Sequence, residues 1–253
     1  MSVIESLTGR TALVTGAGRG MGRAVAHALS ARGARLVIND TNLEDAEGAV
    51  ADLRSAGVEA IAIRADVTRA AEVREMVAQA VAKVGGVHLL VHNAGILRPT
   101  RFPDITEAEW DLVVNVSLKG TFLCSQAVLP SMQAAGWGRI VNFSSTAGKT
   151  VSTLGGAHYT AAKTAVLGLT RAIAREVAPH GVTVNAVCPG LIDTEMVRST
   201  ISEERCRAYA DRFPISRLGR PEEVAELVAF LCSDRAAYTT GAAFDINGGD
   251  LMV

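Results

Sequence analysis

The chain has 253 residues, 49% of them hydrophobic but only 4% aromatic, so it can bury one large α/β core built from Ala, Val, Leu and Ile. Its 25 basic and 26 acidic residues nearly cancel and no Lys/Arg run appears, which removes the electrostatic footprint of a nucleic-acid binder. Residues 1–10 lack a basic segment followed by an apolar run, no stretch approaches the roughly 18 apolar residues of a bilayer span, and Cys124, Cys188, Cys206 and Cys232 have no metal-ligand spacing, so the expectation is a cytoplasmic protein without signal peptide, membrane span or metal.

Short apolar runs alternate with helix-length amphipathic segments, the pattern of βαβ units. The predicted strands are Thr11–Val14, Arg35–Asn39, Ala60–Ile63, Val87–Val91, Arg139–Phe143, Val182–Ala186 and Ala243–Ile246. The predicted helices are Gly20–Arg32, Glu44–Ser55, Ala71–Val84, Ala157–Ala178 and Pro221–Leu231. Pro221 followed by Glu222 and Glu223 suits a helix start, because proline tolerates the first turn and acids favour its positive end. No linker divides the pattern, so residues 1–253 read as one doubly wound Rossmann-type α/β domain with a mostly parallel seven-stranded sheet. Residues 191–220, after the sixth strand, mix charges, Ser and apolar residues and read as a substrate lid.

The first site signal lies at the first strand–helix turn. Thr15-Gly16-Ala17-Gly18-Arg19-Gly20-Met21-Gly22 misses the common G-x-G-x-x-G spacing but meets T-G-x-x-x-G-x-G. Its glycines let the backbone approach a diphosphate, and the following helix offers unpaired N–H groups. Asp40 follows the second strand, 18 residues after Gly22, where a carboxylate accepts hydrogen bonds from an adenosine ribose.

The second signal is Tyr159 and Lys163, four apart on one helical face. An adjacent ammonium is expected to favour the phenolate and bring the tyrosine below its usual pKa of about 10. Ser145, just after the fifth strand, can supply a hydroxyl to a substrate oxygen. The neighbouring Ser144 lies 15 positions before Tyr159 against 14 for Ser145, and Ser145 is the better match.

Together these features resemble the short-chain dehydrogenase/reductase family over nearly the whole chain, in the group holding 3-oxoacyl carrier-protein reductases and secondary-alcohol dehydrogenases. The ordered matches are Thr15–Gly22, Asp66, Asn93-Ala94-Gly95, Asn115, Ser145, Tyr159-x-x-x-Lys163, Pro189-Gly190 and Thr194. The resemblance implies that Gly16, Arg19, Gly20, Met21 and Gly22 cradle the cofactor diphosphate, and that Asp66, with Val67 beside it, meets adenine. It implies that Asn93, Ala94 and Gly95 flank the cofactor and that Lys163 also holds the nicotinamide ribose. Asn115 would sit in a helix and keep a water that links Lys163 to solvent. After Pro189 and Gly190, the Ile192 backbone and the Thr194 hydroxyl would hold the carboxamide. Tyr159 would exchange the proton of a small carbonyl or secondary alcohol while hydride moves to or from the cofactor.

Asp40 favours NAD(H) over NADP(H), because it would repel a 2′-phosphate, whereas Arg19 favours the phosphate. A homotetramer is expected from the apolar Phe122–Leu129 and Ala161–Leu169 segments and from the resemblance. Met132-Gln133-Ala134-Ala135 and Pro179-His180 lack a basic cluster, so free small substrates are expected in preference to carrier-bound ones. The pocket should be lined near Ala147, Leu154, Gly155 and Met196. The rival readings are a 3-oxoacyl carrier-protein reductase using NADP(H), a dehydratase or epimerase, and an NAD-binding regulator or scaffold without turnover. The intact set of Asn115, Ser145, Tyr159 and Lys163 argues against the last. His88 and His92 read as strand-end residues rather than zinc ligands, His158 as a surface or interface residue, and Lys149 as a solvated charge.

Overall fold

In the computed structural model, which describes residues 6–253, seven parallel strands follow the order β3-β2-β1-β4-β5-β6-β7. They are β1 (Thr11–Thr15), β2 (Arg35–Asp40), β3 (Ala60–Arg64), β4 (Leu89–His92), β5 (Gly138–Phe143), β6 (Val182–Pro189) and β7 (Ala243–Ile246). The leader reading of residues 1–10 falls partly on residues 1–5, which lie outside the described residues. Strand β4 starts two residues later than its apolar run, because Val87 and His88 precede the ladder with β1 and β5. Strand β6 runs three residues further, since Val187, Cys188 and Pro189 pair with β5 or β7.

Both faces of the sheet are covered, and the period-2 alternation of strand side chains sorts the core accordingly. Ala12, Val14, Leu36, Ile38, Leu89 and Val91 pack with α1 (Gly20–Ser30), α2 (Leu43–Ser55) and α9 (Pro221–Leu231). Leu13, Val37, Leu90 and Ile140 point the other way, to α3 (Ala70–Val84), α5 (Gly120–Ala134) and α6 (Ala157–Val177). The strand order reverses between β1 and β4. That switch point opens a crevice at the carboxyl ends of the strands, where open α/β sheets bind ligands.

The segment between β4 and β5 forms α4 (Glu107–Val114), a π turn (Asn115–Lys119) and α5, which run on from one another. Its buried face includes Ser117, Gly120, Thr121, Cys124 and Ser125, while Trp110, Leu112 and Phe122 are exposed. Apolar residues therefore do not repeat along one face, and the segment gives no helical period in sequence. By length and composition Glu107–Ala134 could cross a membrane, contrary to the sequence expectation of no such stretch. Here Val113, Cys124, Val128 and Met132 are buried, the last three within the core beneath the sheet. All four cysteines are buried and free.

The 191–220 segment is partly helical, with α7 (Glu195–Thr200) and α8 (Glu203–Ala210). Ile192 is nearly buried and bridges to Gly219, which closes the segment at its base.

Candidate active site

The glycine turn leaves β1 and enters α1. Gly16 and Gly20 take positive φ values of 61° and 56°, which only glycine adopts cheaply. Gly18 and Gly22 act by close approach instead. A Cβ on Gly22 would lie 2.4 Å from the Gly16 carbonyl, and one on Gly18 would lie 2.6 Å from Asp45 Cβ. The N-cap residue of α1, Arg19, forms no side-chain cap, so the unpaired N–H groups of the first turn are open to an anion.

Asp40 ends β2 with both carboxylate oxygens engaged. Oδ2 accepts from Gly18 N–H and Oδ1 from Asn42 N–H, each at 3.1 Å. The same carboxylate thus braces the glycine turn and starts the next connection. At the end of β4, Asn93 Nδ2 donates to the carbonyls of Gly16 (2.8 Å) and Thr15 (3.2 Å), and Ala94 N–H donates to the Thr15 hydroxyl. Asp66 Oδ1 accepts from both the N–H and the hydroxyl of Thr68.

These groups line one open cavity of about 610 Å³. Gly16, Arg19, Gly20, Met21, Asp40, Asp66, Val67, Asn93, Ala94 and Gly95 lie along it, together with Tyr159, Lys163 and Thr194. Gly22 supports the turn from behind. Asn115, Ser145, Pro189, Gly190 and Ile192 stand outside the lining; Asn115 opens the π turn, whose Val116 reaches the cavity. The sequence reading missed Thr41, Ile96, Leu97, Arg98 and Val116, which carry no motif and reach the cavity only through the fold; Glu195 comes from the 191–220 segment expected to line it. Of the predicted pocket residues Met196 lines the cavity, whereas Ala147, Leu154 and Gly155 do not. Ala147 is buried, and Gly155 packs so closely on Tyr159 that a Cβ would come within 2.9 Å of its ring. The cradle, the carboxylate at the second strand and the cavity they share fit a pyridine dinucleotide.

Tyr159 and Lys163 share the inner face of α6. The Lys163 ammonium lies 5.7 Å from the Tyr159 ring centroid and donates to the Phe143 carbonyl at 2.7 Å. The expectation of a lowered tyrosine pKa does not hold. Burial raises the Tyr159 phenol above its ordinary value, and the hydrogen bond with Ser145 offsets this only partly. Burial also pushes Lys163 down to about 8, which weakens it as the cation expected to favour the phenolate. The phenol is therefore protonated at neutral pH and can donate a proton.

The two serines part company. Ser145 Oγ accepts from Ala147 N–H at 3.1 Å and contacts the Tyr159 hydroxyl. Ser144 Oγ is buried and donates to the Lys163 carbonyl at 2.8 Å, which fixes the helix that carries the lysine.

Two other sequence readings change, whereas His92 does end its strand. His158 is fully buried rather than at the surface, with Nε2 2.9 Å from Glu109 Oε1. Lys149 is not solvated but pairs with Asp245 at 2.7 Å, because β7 runs beside the Ser145 turn. His92 belongs to β4 and is buried, with Nδ1 3.2 Å from the Thr15 hydroxyl. Among the described residues no cluster of His, Cys, Asp and Glu could hold a metal.

Burial, reinforced by the charge of Lys163, drives His92 down to about 3, far below the unfolded value near 6.5. As pH falls through 6.5 the unfolded chain takes this proton and the folded chain does not, so stability falls until about pH 3. The full cost is on the order of 5 kcal/mol. His92→Gln is expected to move the acid-unfolding midpoint to lower pH, as followed by far-UV circular dichroism; an unchanged midpoint refutes the assignment.

The family described as Enoyl-(Acyl carrier protein) reductase matches residues 16–250. The chain is 41% identical over 244 residues to the 3-oxoacyl-[acyl-carrier-protein] reductase FabG of Staphylococcus epidermidis, covering 96% of this chain and 99% of the relative. It is 42% identical over 251 residues to the 3-oxoacyl-[acyl-carrier-protein] reductase of Synechocystis, covering 98% and 100%. A crystal structure of a 3-oxoacyl-[acyl-carrier protein] reductase with bound NAD from Brucella melitensis superposes with a TM-score of 0.91 at 35% identity, covering 98% of this chain and 93% of that one. The cradle, the parallel sheet and the Ser–Tyr–Lys geometry agree with these likenesses: the chain belongs to the short-chain dehydrogenase/reductase family, and it is a pyridine-nucleotide-dependent oxidoreductase acting on C=O or CH–OH groups.

Proposed function

We propose that this enzyme interconverts a small 3-oxoacyl compound and its 3-hydroxy form with NAD(H). The observation that carries the reading is the convergence of Tyr159 and Lys163 on the cavity that Asp40 and the glycine turn also line. The bound nicotinamide supplies or accepts the hydride. In reduction Tyr159 gives its phenolic proton to the substrate oxygen, and Ser145 donates a second hydrogen bond to that oxygen as charge develops. Lys163 lies beside the phenol and, when charged, stabilises the transient phenolate by attraction, which eases the departure of the proton. In oxidation the proton moves from the alcohol to Tyr159. The acyl class follows the 3-oxoacyl reductases to which the chain is similar.

Asp40 supports NAD(H). Its carboxylate lines the cavity, held there by Gly18 and Asn42, and a 2′-phosphate beside it would meet a like charge. Arg19 also lines the cavity, and it is the exposed residue that would favour the phosphate. The test is kcat/KM for ethyl acetoacetate with NADH and NADPH, in wild type and in Asp40→Asn, which keeps an acceptor for the turn. Wild type should prefer NADH by at least about tenfold, the worth of roughly 1.4 kcal/mol of like-charge repulsion. Asp40→Asn should narrow the gap. A wild type that prefers NADPH overturns the cofactor assignment, and a carrier-linked 3-oxoacyl substrate outperforming every free ester overturns the preference for small substrates.

A further inference from the structure

Tyr159 lies in the first turn of α6, where backbone N–H groups lack helical partners. The residue before it, His158, is fully buried in that turn. Tyr159 N–H donates to His158 Nδ1 at 2.9 Å and to the Gly156 carbonyl at 3.1 Å. A ring nitrogen that accepts an N–H is unprotonated, so the imidazole proton sits on Nε2 and points to Glu109 Oε1, 2.9 Å away. The tautomer is therefore set by both neighbours.

Glu109 stands in the first turn of α4, and its N–H donates to the Thr106 hydroxyl that caps the helix. Hydrogen bonds from Thr100 and then His158 hold its carboxyl below the ordinary carboxylate range, so it stays an acceptor through neutral pH. The surroundings leave no slack. A Cβ on Gly156 would come within 2.5 Å of the Thr100 carbonyl and 2.8 Å of His158 Cε1, and Gly156 N–H donates to the Arg98 carbonyl at 2.8 Å. Ile96, Leu97 and Arg98 of that connection line the cavity.

We propose that His158, oriented by Glu109, is a positioning residue that fixes the Tyr159 backbone and couples it to the segment walling the substrate side of the cavity. This rests on the reading of Tyr159 as the proton carrier. Two hydrogen bonds on one buried ring restrict the start of α6 along the line from Glu109 to the Tyr159 amide. Proton transfer requires the phenol oxygen within hydrogen-bond reach of both Ser145 and the substrate oxygen, and an error of one ångström there costs about 100-fold in rate. His158 touches neither substrate nor cofactor. It acts on the Tyr159 main chain.

The variants separate the two bonds. His158→Phe keeps the ring volume and loses both. His158→Asn places an amide oxygen where Nδ1 stands, which keeps the Tyr159 bond and loses Glu109. Glu109→Gln keeps the size of the partner and removes its charge. The assay is reduction of ethyl acetoacetate by NADH, with NADH affinity from nicotinamide fluorescence and unfolding midpoints recorded alongside. His158→Phe is expected to lose about 10- to 100-fold in kcat with NADH affinity within about twofold of wild type, and His158→Asn to recover most of that loss. Glu109→Gln should fall between them and add nothing in the His158→Phe background. If His158→Phe keeps kcat within about twofold, or His158→Asn is no better than His158→Phe, the proposal is overturned. Where His158→Phe does not fold, His158→Asn against Glu109→Gln decides: equal rates for those two and wild type overturn it. Tyr159→Phe run in parallel separates the two layers. An active Tyr159→Phe sinks the underlying reading and this inference with it, whereas an inactive Tyr159→Phe beside a fully active His158→Phe sinks this inference alone.

Discussion

Tyr159→Phe should lower kcat by about 100- to 10,000-fold, the usual contribution of a positioned acid/base, while leaving the NADH dissociation constant near the wild-type value. The substitution removes one oxygen and keeps the ring that packs on Gly155 and lies near Lys163. The phenol is raised above its ordinary pKa by burial, so carbonyl reduction should not need deprotonation of the free enzyme. Reduction is therefore expected to stay level across neutral pH until Lys163 loses its charge near 8, whereas oxidation, which needs a proton acceptor, should gain with rising pH. The burial of Lys163 near 8 enters with its own sign: between about 8 and its unfolded value of 10.5 the unfolded chain holds the extra proton, so this residue makes the folded protein more stable as pH rises through that window. Stopped-flow and steady-state rates across pH 6 to pH 10 test the first statement. A Tyr159→Phe variant that retains more than about a tenth of wild-type rate removes Tyr159 from the chemistry.

Ser145→Ala should cost about 100- to 1,000-fold in kcat, as expected for the loss of one donor to a developing oxyanion. Ser144→Ala should behave differently although it is the adjacent residue. Its hydroxyl is spent on the Lys163 carbonyl, and a Cβ on Gly148 would lie only 2.4 Å from that oxygen, so the side chain is locked in place. Its removal should cost about 1 kcal/mol of stability, a fall of about 2–4 °C in Tm for a chain of this size. The rate should drop by less than about tenfold, because Lys163 still donates to the Phe143 carbonyl. Equal losses in kcat for the two variants would contradict the division of labour between them.

Much of this was legible in the sequence because it is local. Strand residues such as Ala12-Leu13-Val14 and Leu36-Val37-Ile38 are apolar on both faces, the mark of a sheet covered on both sides. The glycine turn, Asp40, Tyr159 and Lys163 declare themselves by residue type at fixed offsets, since a tight strand–helix turn and one helical face are each set within a few residues. What the tertiary structure alone decided depends on elements far apart in the chain. The helix over 107–134 was hidden because polar and small residues such as Ser117, Thr121 and Ser125 occupy its buried face. The raised phenol and depressed lysine follow from desolvation, which no spacing reports. His158 looked like a surface residue because i+1 on a helix points away from Tyr159. It is buried because Glu109, 49 positions earlier, meets it from α4. Local chemistry fixes which groups are available, while desolvation and long-range contacts fix their protonation and aim, and those arise only when the chain closes on itself.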